Sequence, residues 1–143
     1  MQEKHDQYYE GILQLRDSTK ELEGYIESKV SQDNKARITA KKKVKMGYDY
    51  YLTSNKYLRY LGKELQNKFK GELKQSCELY SRDRQTSKAL YRYCILFRPS
   101  KFKKGQIISY KGEQIIILFC DKKKIVAKNI KSGVKAHIRY NDL

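Results

Sequence analysis

The strongest constraint on the fold of this chain is a change in the spacing of apolar residues at Pro99, its only proline. Before Pro99, strand-like and helix-like spacings of apolar residues alternate, whereas after it the helical period disappears. Proline restricts its own backbone and disfavours the helical conformation in the residue before it, so a lone proline often separates structural units. The sequence therefore predicts two domains, residues 1–98 and 99–143.

The pattern of the first predicted domain is two helices among five strands. Strands are predicted at residues 8–16, 37–46, 48–53, 72–81 and 89–97, with Gly47 as the turn between the second and third. One helix is predicted at residues 19–32, after a capping box that begins at Ser18. The other helix begins after Ser54 and ends before Gly71. The resulting order, βαββαββ, predicts an α+β fold in which an antiparallel or mixed sheet carries helices on one face.

The second predicted domain contains four short strands and no helix. The strands are predicted at residues 106–110, 113–120, 125–130 and 134–139, and polar turns separate them. This spacing is typical of a small antiparallel β-barrel. Because a module of this size is near the lower limit for independent stability, we expect it to pack against the first domain.

The charge of the chain indicates the class of its partner. There are 32 Lys and Arg residues against 16 Asp and Glu residues, and the formal net charge of +16 is interleaved with 13 tyrosines. Like charges repel in a compact state, so a polyanionic partner is expected to neutralise them. Lysine and arginine bind phosphates of any sequence, and tyrosine rings can stack on unpaired bases. Composition thus predicts binding to RNA or DNA.

The positive residues concentrate in four segments. These candidate RNA-binding residues are Lys41, Lys42, Lys43 and Lys45 on the second strand, Arg82, Arg84 and Lys88 at a hairpin tip, Lys101, Lys103 and Lys104 at the domain boundary, and Lys122, Lys123 and Lys124 in a barrel turn. Strand alternation predicts that Lys41, Lys43 and Lys45 project from one face. The alternative for each segment is an ordinary solvated strand or loop, since lysine also protects strand edges from aggregation.

The sequence offers no recognisable reaction chemistry. Its glycines fit no phosphate-binding or dinucleotide-binding motif, and no Ser or Cys is near a His in a familiar arrangement. Cys77, Cys94 and Cys120 are widely spaced, which favours reduced thiols within the core over a metal site. We therefore predict no enzyme, no catalytic residue, no metal and no cofactor. With a polar amino terminus and no apolar run long enough to cross a bilayer, a cytoplasmic monomer that binds no membrane is expected.

Several short motifs carry a family resemblance. They are Tyr-Tyr-Glu-Gly-Ile-Leu-Gln-Leu-Arg at residues 8–16, Gly-Tyr-Asp-Tyr-Tyr at 47–51 before a leucine-bearing helix, Tyr-Arg-Tyr at 91–93, and Phe-Lys-Lys-Gly-Gln-Ile-Ile at 102–108. Through them the chain resembles the middle part of the nonsense-mediated-decay protein three family of large-ribosomal-subunit biogenesis factors, in its shorter archaeal form. The paired Cys-x-x-Cys motifs with which family members begin are missing, so either an excised fragment or a shortened member is expected.

The resemblance implies a fold and partners. It implies a first domain like ribosomal protein twenty-two of the eukaryotic large subunit, and a barrel like the first domain of translation factor five-A. Family members occupy the transfer-RNA sites of the immature large subunit through ribosomal RNA and the L-one stalk region. The first hypothesis is therefore a non-enzymatic module that binds ribosomal RNA and large-subunit proteins. The alternatives are a protein-interaction scaffold that docks on ribosomal proteins, and a nucleic-acid-processing enzyme.

Overall fold

A computed structural model describes residues 8–82 and 89–142 of the chain. The order of elements is βαββαββ followed by four further strands, which confirms the predicted order and the α+β class. The strands form two separate sheets, one of five strands and one of four. Among the described residues, no helix combines the length and the apolar character needed to cross a membrane.

The five-stranded sheet is mixed. Its strands are β1 (Gly11–Arg16), β2 (Ile38–Val44), β3 (Gly47–Leu52), β4 (Gly71–Arg82) and β5 (Ala89–Pro99), and their spatial order is β2-β3-β1-β5-β4. The central strands β1 and β5 pair in parallel, whereas the other neighbours pair antiparallel. The first and last strands of this half of the chain therefore lie side by side at the centre of the sheet.

Helices α1 (Lys20–Asp33) and α2 (Asn55–Phe69) cover one face of this sheet. Alternate residues of β1, β3 and β5 meet one stripe of each helix in a single core. That core is made of Leu13, Leu15, Leu22, Ile26, Val30, Tyr50, Leu52, Tyr57, Leu58, Leu61, Leu65, Ile95 and Phe97. The opposite face, which we call the open face, is not covered by either helix.

Each helix begins at a hydroxyl side chain that accepts a backbone hydrogen bond. The Oγ1 atom of Thr19 accepts from the N–H of Leu22 at 3.2 Å, so Thr19 and not Ser18 is the N-cap of α1. The Oγ atom of Ser54 accepts from the N–H of Tyr57 at 3.1 Å, which confirms the predicted start of α2. These bonds satisfy amide groups that lack a partner within the helix.

We expect Ser54→Ala to lower the free energy of unfolding by about 1 kcal/mol, because the cap bond to Tyr57 is lost. Urea denaturation followed by circular dichroism would measure this change. Ser31→Ala is the matched control, since Ser31 is an exposed residue within α1, and alanine there should leave stability unchanged or slightly higher. Equal destabilisation by the two changes would contradict a capping role.

The turn between β2 and β3 differs from the prediction. Lys45 and Met46 form the turn, and Gly47 is the first residue of β3 rather than the turn itself. A Cβ atom at Gly47 would lie 1.9 Å from the carbonyl oxygen of Leu15, so glycine is required there by the close approach of β1. Sequence alone ascribed this glycine to the turn because the strand that crowds it is distant in the chain.

The four-stranded sheet is antiparallel and barrel-like, with strands β6 (Ile107–Tyr110), β7 (Glu113–Cys120), β8 (Lys124–Asn129) and β9 (Lys135–Arg139) in sequence order. Its own core contains Ile115, Ile117, Ile125, Ala127 and Ile138. The N–H of Leu73 on β4 donates to the carbonyl of Lys122 at 2.8 Å, so the turn before β8 is bonded to the edge of the first sheet. The N–H of Ser100, just after β5, donates to the carbonyl of Lys70 at 3.0 Å and extends the β4–β5 pairing by one residue.

The cysteines are free thiols, and their placement corrects one prediction. Cys94 and Cys120 are half-buried, whereas Cys77 is exposed. Cys77 pairs with Tyr93 on the outer half of the β4–β5 hairpin, where both members of the next pair on the same face, Leu79 and Tyr91, are exposed. The expectation of a core position is therefore wrong for Cys77, because this part of the hairpin extends past the covered region of the sheet.

Candidate nucleic-acid interface

The lysines of β2 do not form the single array that alternation predicted. The Nζ atom of Lys41 lies 3.8 Å from Glu23 and 3.5 Å from Glu27 of α1, and 4.4 Å from the ring centre of Tyr48. Lys43 is on the same side of β2, and Lys45 belongs to the turn. Lys41 therefore connects α1 to the sheet edge, Lys43 shares its face of β2 as predicted, and Lys45 lies beyond the end of the strand.

Lys42 points instead towards the open face of the five-stranded sheet. Its Nζ atom lies 4.8 Å from the ring centre of Tyr51. The strand registers place it at one end of a row that crosses all five strands and ends at Lys74: Lys42, Asp49, Gln14, Leu96, Lys74. At the usual spacing between strands this row is roughly 19 Å long. The open face is thus bounded by a lysine at both edges.

The predicted hairpin cluster falls largely outside the described residues. Arg84 and Lys88 lie in the segment 83–88, and Arg82 is the last residue of β4. Their role in RNA binding stays a prediction.

The other two predicted clusters meet where the two sheets join. Lys103 and Lys104 line a groove beside α2. Asp121 borders the same groove, and Lys122, Lys123 and Lys124 of the turn follow it directly in the chain. Lys101 is exposed in the connecting segment just after β5. The backbone bond between Leu73 and Lys122 fixes this turn against β4. We call the region that contains Lys101, Lys103, Lys104 and Lys122–Lys124 the junction.

One side of the junction opens onto the five-stranded sheet. A groove of about 700 Å³, which we call the sheet groove, has Gln14, Cys94 and Leu96 of the open face as its floor. Lys74, Lys122 and Lys123 are its positive residues. All three are exposed, and neither Lys122 nor Lys123 forms an ion pair with an acidic residue in the described part of the chain. The groove therefore presents apolar and amide surface beside exposed positive side chains.

A second groove, which we call the turn groove, continues from the first around the end of β8. It shares Lys74, Lys122 and Lys123 with the sheet groove and adds Lys124 and Arg139. Lys124 and Arg139 are directly opposite each other on β8 and β9. Like charges in that position destabilise a sheet unless an anion lies between or near them. The arrangement is therefore suited to an anionic ligand.

Two of the acidic residues near these grooves, Asp49 and Glu72, are paired with arginines. Asp49 lies 3.0 Å from the Nη1 atom of Arg16. Glu72 is buried, lies 3.5 Å from Nη1 of Arg98, and has Lys74 at 3.6 Å. Because these carboxylates are paired within the protein, they offset little of the charge that the exposed lysines present to a ligand.

Wherever the pKa of a described side chain is shifted, it is raised further above neutral pH. Burial raises the pKa of the Cys94 thiol and of the Tyr140 hydroxyl. Tyr140 remains a neutral donor at physiological pH, and its hydroxyl donates to the carbonyl of Asp121 at 2.6 Å. A general acid or base functions best with a pKa near the working pH, so the raised pKa values do not favour that role for Cys94 or Tyr140. In residues 8–82 and 89–142, no three His, Cys, Asp or Glu side chains cluster in a way that could hold a metal ion.

Sequence reasoning missed three positive residues of the junction. Lys70 is the last residue before β4, Lys74 is within β4, and Arg139 ends β9. None of them belongs to a run of consecutive positive residues, so a search for charge runs does not find them. Only the pairing of distant strands brings these residues beside Lys103, Lys104 and the Lys122–Lys124 turn.

Comparison with known protein families gives one match. The family model described as NMD3, second domain, matches residues 8–98, which is more than half of the chain. The matched segment contains the five-stranded sheet and both helices. No curated protein matches the chain.

Proposed function

The chain belongs to the NMD3 family, which is associated with ribosome biogenesis, and on this premise we propose that it is a non-enzymatic module that binds ribosomal RNA. Family membership implies ribosome-related partners. The proposal adds that the partner surface is large-subunit RNA, and that the lysines and arginines of the junction hold its phosphates. We further propose that the module acts as a cytoplasmic monomer.

The observation that carries this proposal is the convergence of charge at the junction. Positive residues from the end cap of α2, β4, the segment after β5, the turn before β8 and the end of β9 line neighbouring grooves. Within the described linings, Glu72 and Asp121 are the acidic residues, and Glu72 is buried and paired. A surface with such an excess of positive charge is suited to a phosphate backbone.

The proposal is tested by binding of the full chain to a structured fragment of large-subunit ribosomal RNA. We expect a saturable complex in a filter-binding titration, with the RNA recovered intact after incubation with magnesium. A chain that acts only as a protein scaffold would give no saturable RNA complex. Metal-dependent cleavage that disappears in Asp49→Asn would show an enzyme instead. Either result would overturn the proposal.

A further inference from the structure

Phe119 is turned out of the core of the four-stranded sheet by a β-bulge. Ile115 and Ile117 of β7 point into that core, and simple alternation would place Phe119 there as well. The register between β7 and β8 shifts between Ile117 and Phe119. As a result Cys120 packs against the core, while the Phe119 ring is 53% exposed. Bulges commonly redirect a side chain next to a functional site.

The exposed ring lies in a groove on the α2 side of the junction. This groove has a volume of about 470 Å³, and we call it the phenylalanine groove. Phe69, Phe102 and Phe119 supply its aromatic surface, and Lys70, Lys103 and Lys104 supply its positive charge. Asp121 is the acidic residue of the described lining. The volume falls within the range of sites that hold small organic ligands.

Lys70 occupies a backbone conformation that glycine would adopt more easily. Its φ angle is +60°, in the region that side chains disfavour. Its N–H donates to the carbonyl of Gln66 at 3.1 Å, and its carbonyl accepts from the N–H of Ser100 at 3.0 Å. These two bonds hold Lys70 at the rim of the groove despite the strain.

We propose that the phenylalanine groove binds one unpaired nucleotide of RNA, with its base on the Phe119 ring and its adjoining phosphates beside the groove lysines. An exposed aromatic ring with three lysines and one acidic residue matches a ligand that combines a flat base with negative charge. A base in a duplex is stacked on both faces and cannot reach the ring. This inference rests on the proposed function and specifies how part of the RNA is recognised.

The test compares single-stranded and duplex RNA. An oligoribonucleotide of about eight nucleotides and the duplex of the same sequence are titrated against the full chain by fluorescence anisotropy. Phe119→Ala should weaken binding of the single strand about tenfold, because one base loses its stacking partner. Binding of the duplex should stay within about twofold, since phosphate contacts are unaffected. Phe119→Tyr keeps an aromatic ring and should bind the single strand like the original chain.

A direct reporter is available because the chain contains no tryptophan. Phe119→Trp places one fluorophore in the groove, and stacking of a base should quench its emission on addition of the single strand. Ile107→Trp is the matched control: Ile107 is also on the four-stranded sheet, is 57% exposed, and is not part of the phenylalanine groove. Its emission should change little. Circular dichroism would verify that all variants fold.

The outcomes separate this inference from the proposed function. If the original chain binds neither the oligonucleotide nor ribosomal RNA, both proposals fail. If it binds ribosomal RNA, but Phe119→Ala leaves binding of the single strand unchanged or weakens binding of the single strand and the duplex equally, only this inference is overturned. If Phe119→Ala associates more weakly with large subunits but keeps its affinity for the oligonucleotide, the groove binds a protein. That result would also overturn this inference.

Discussion

We expect the affinity of this protein for ribosomal RNA to fall by about three to five orders of magnitude when monovalent salt is raised from roughly 50 to 200 mM. This estimate corresponds to about six to ten engaged phosphates, a number that the positive residues of the junction could supply. Each lysine that neutralises a phosphate releases a condensed counterion, and this release is less favourable at high salt. Filter binding at four or more salt concentrations would measure the slope.

The same titration, applied to lysine variants, identifies which lysines contact phosphates. We expect combined replacement of Lys103, Lys104, Lys122 and Lys123 by glutamine to reduce affinity at low salt on the order of 100-fold and to lower the salt slope by about 3. All four residues are exposed and line grooves of the junction. Because the changes are confined to the surface, the fold should persist.

The matched control is a variant with the same change of net charge at residues outside the junction. Glutamine replaces Lys20, Lys63, Lys131 and Lys135, which are exposed and line none of the three grooves of the junction. A salt slope close to that of the original chain is expected for this variant. If the control lowers affinity and slope as much as the junction variant does, the charge acts as a diffuse field and the junction is not the binding surface.

Gly47→Ala should destabilise the protein by about 3 kcal/mol or more, because the added Cβ atom would overlap the carbonyl oxygen of Leu15. The overlap involves backbone on both sides, so no side-chain rotation can relieve it. Relief requires β1 and β3 to separate at the point where Gly47 pairs with Arg16. Urea denaturation of the full chain would measure the loss as a shift of the midpoint.

Gly24→Ala is the opposite case and provides the control. Gly24 is an exposed residue within α1, and a Cβ atom there would meet nothing within 4 Å. Because alanine is the stronger helix former, this change should stabilise the protein by about 0.5 to 1 kcal/mol. A loss of stability in Gly24→Ala, or a neutral Gly47→Ala, would contradict the packing described for these two positions.

Local sequence determined the elements of this protein. Within the described residues, the periods of apolar residues gave both helices and all nine strands to within a few residues, and Ser54 marked the start of α2 correctly. These signals depend on neighbours two to four residues apart, so they can be read without knowing the partners of a segment. The net charge of +16 likewise predicts a polyanionic partner without reference to any contact between distant residues.

The tertiary structure alone decided where the charges lie and which of them are available. Alternation grouped Lys41 with Lys43 and Lys45, but whether that face is covered depends on α1, whose Glu23 and Glu27 engage Lys41. The parallel pairing of β1 with β5 puts β4 at the sheet edge, where Leu73 bonds the turn at Lys122 and brings the junction together. Contacts between residues far apart in the chain leave no local period, so the proposed binding surface could not be derived from spacing.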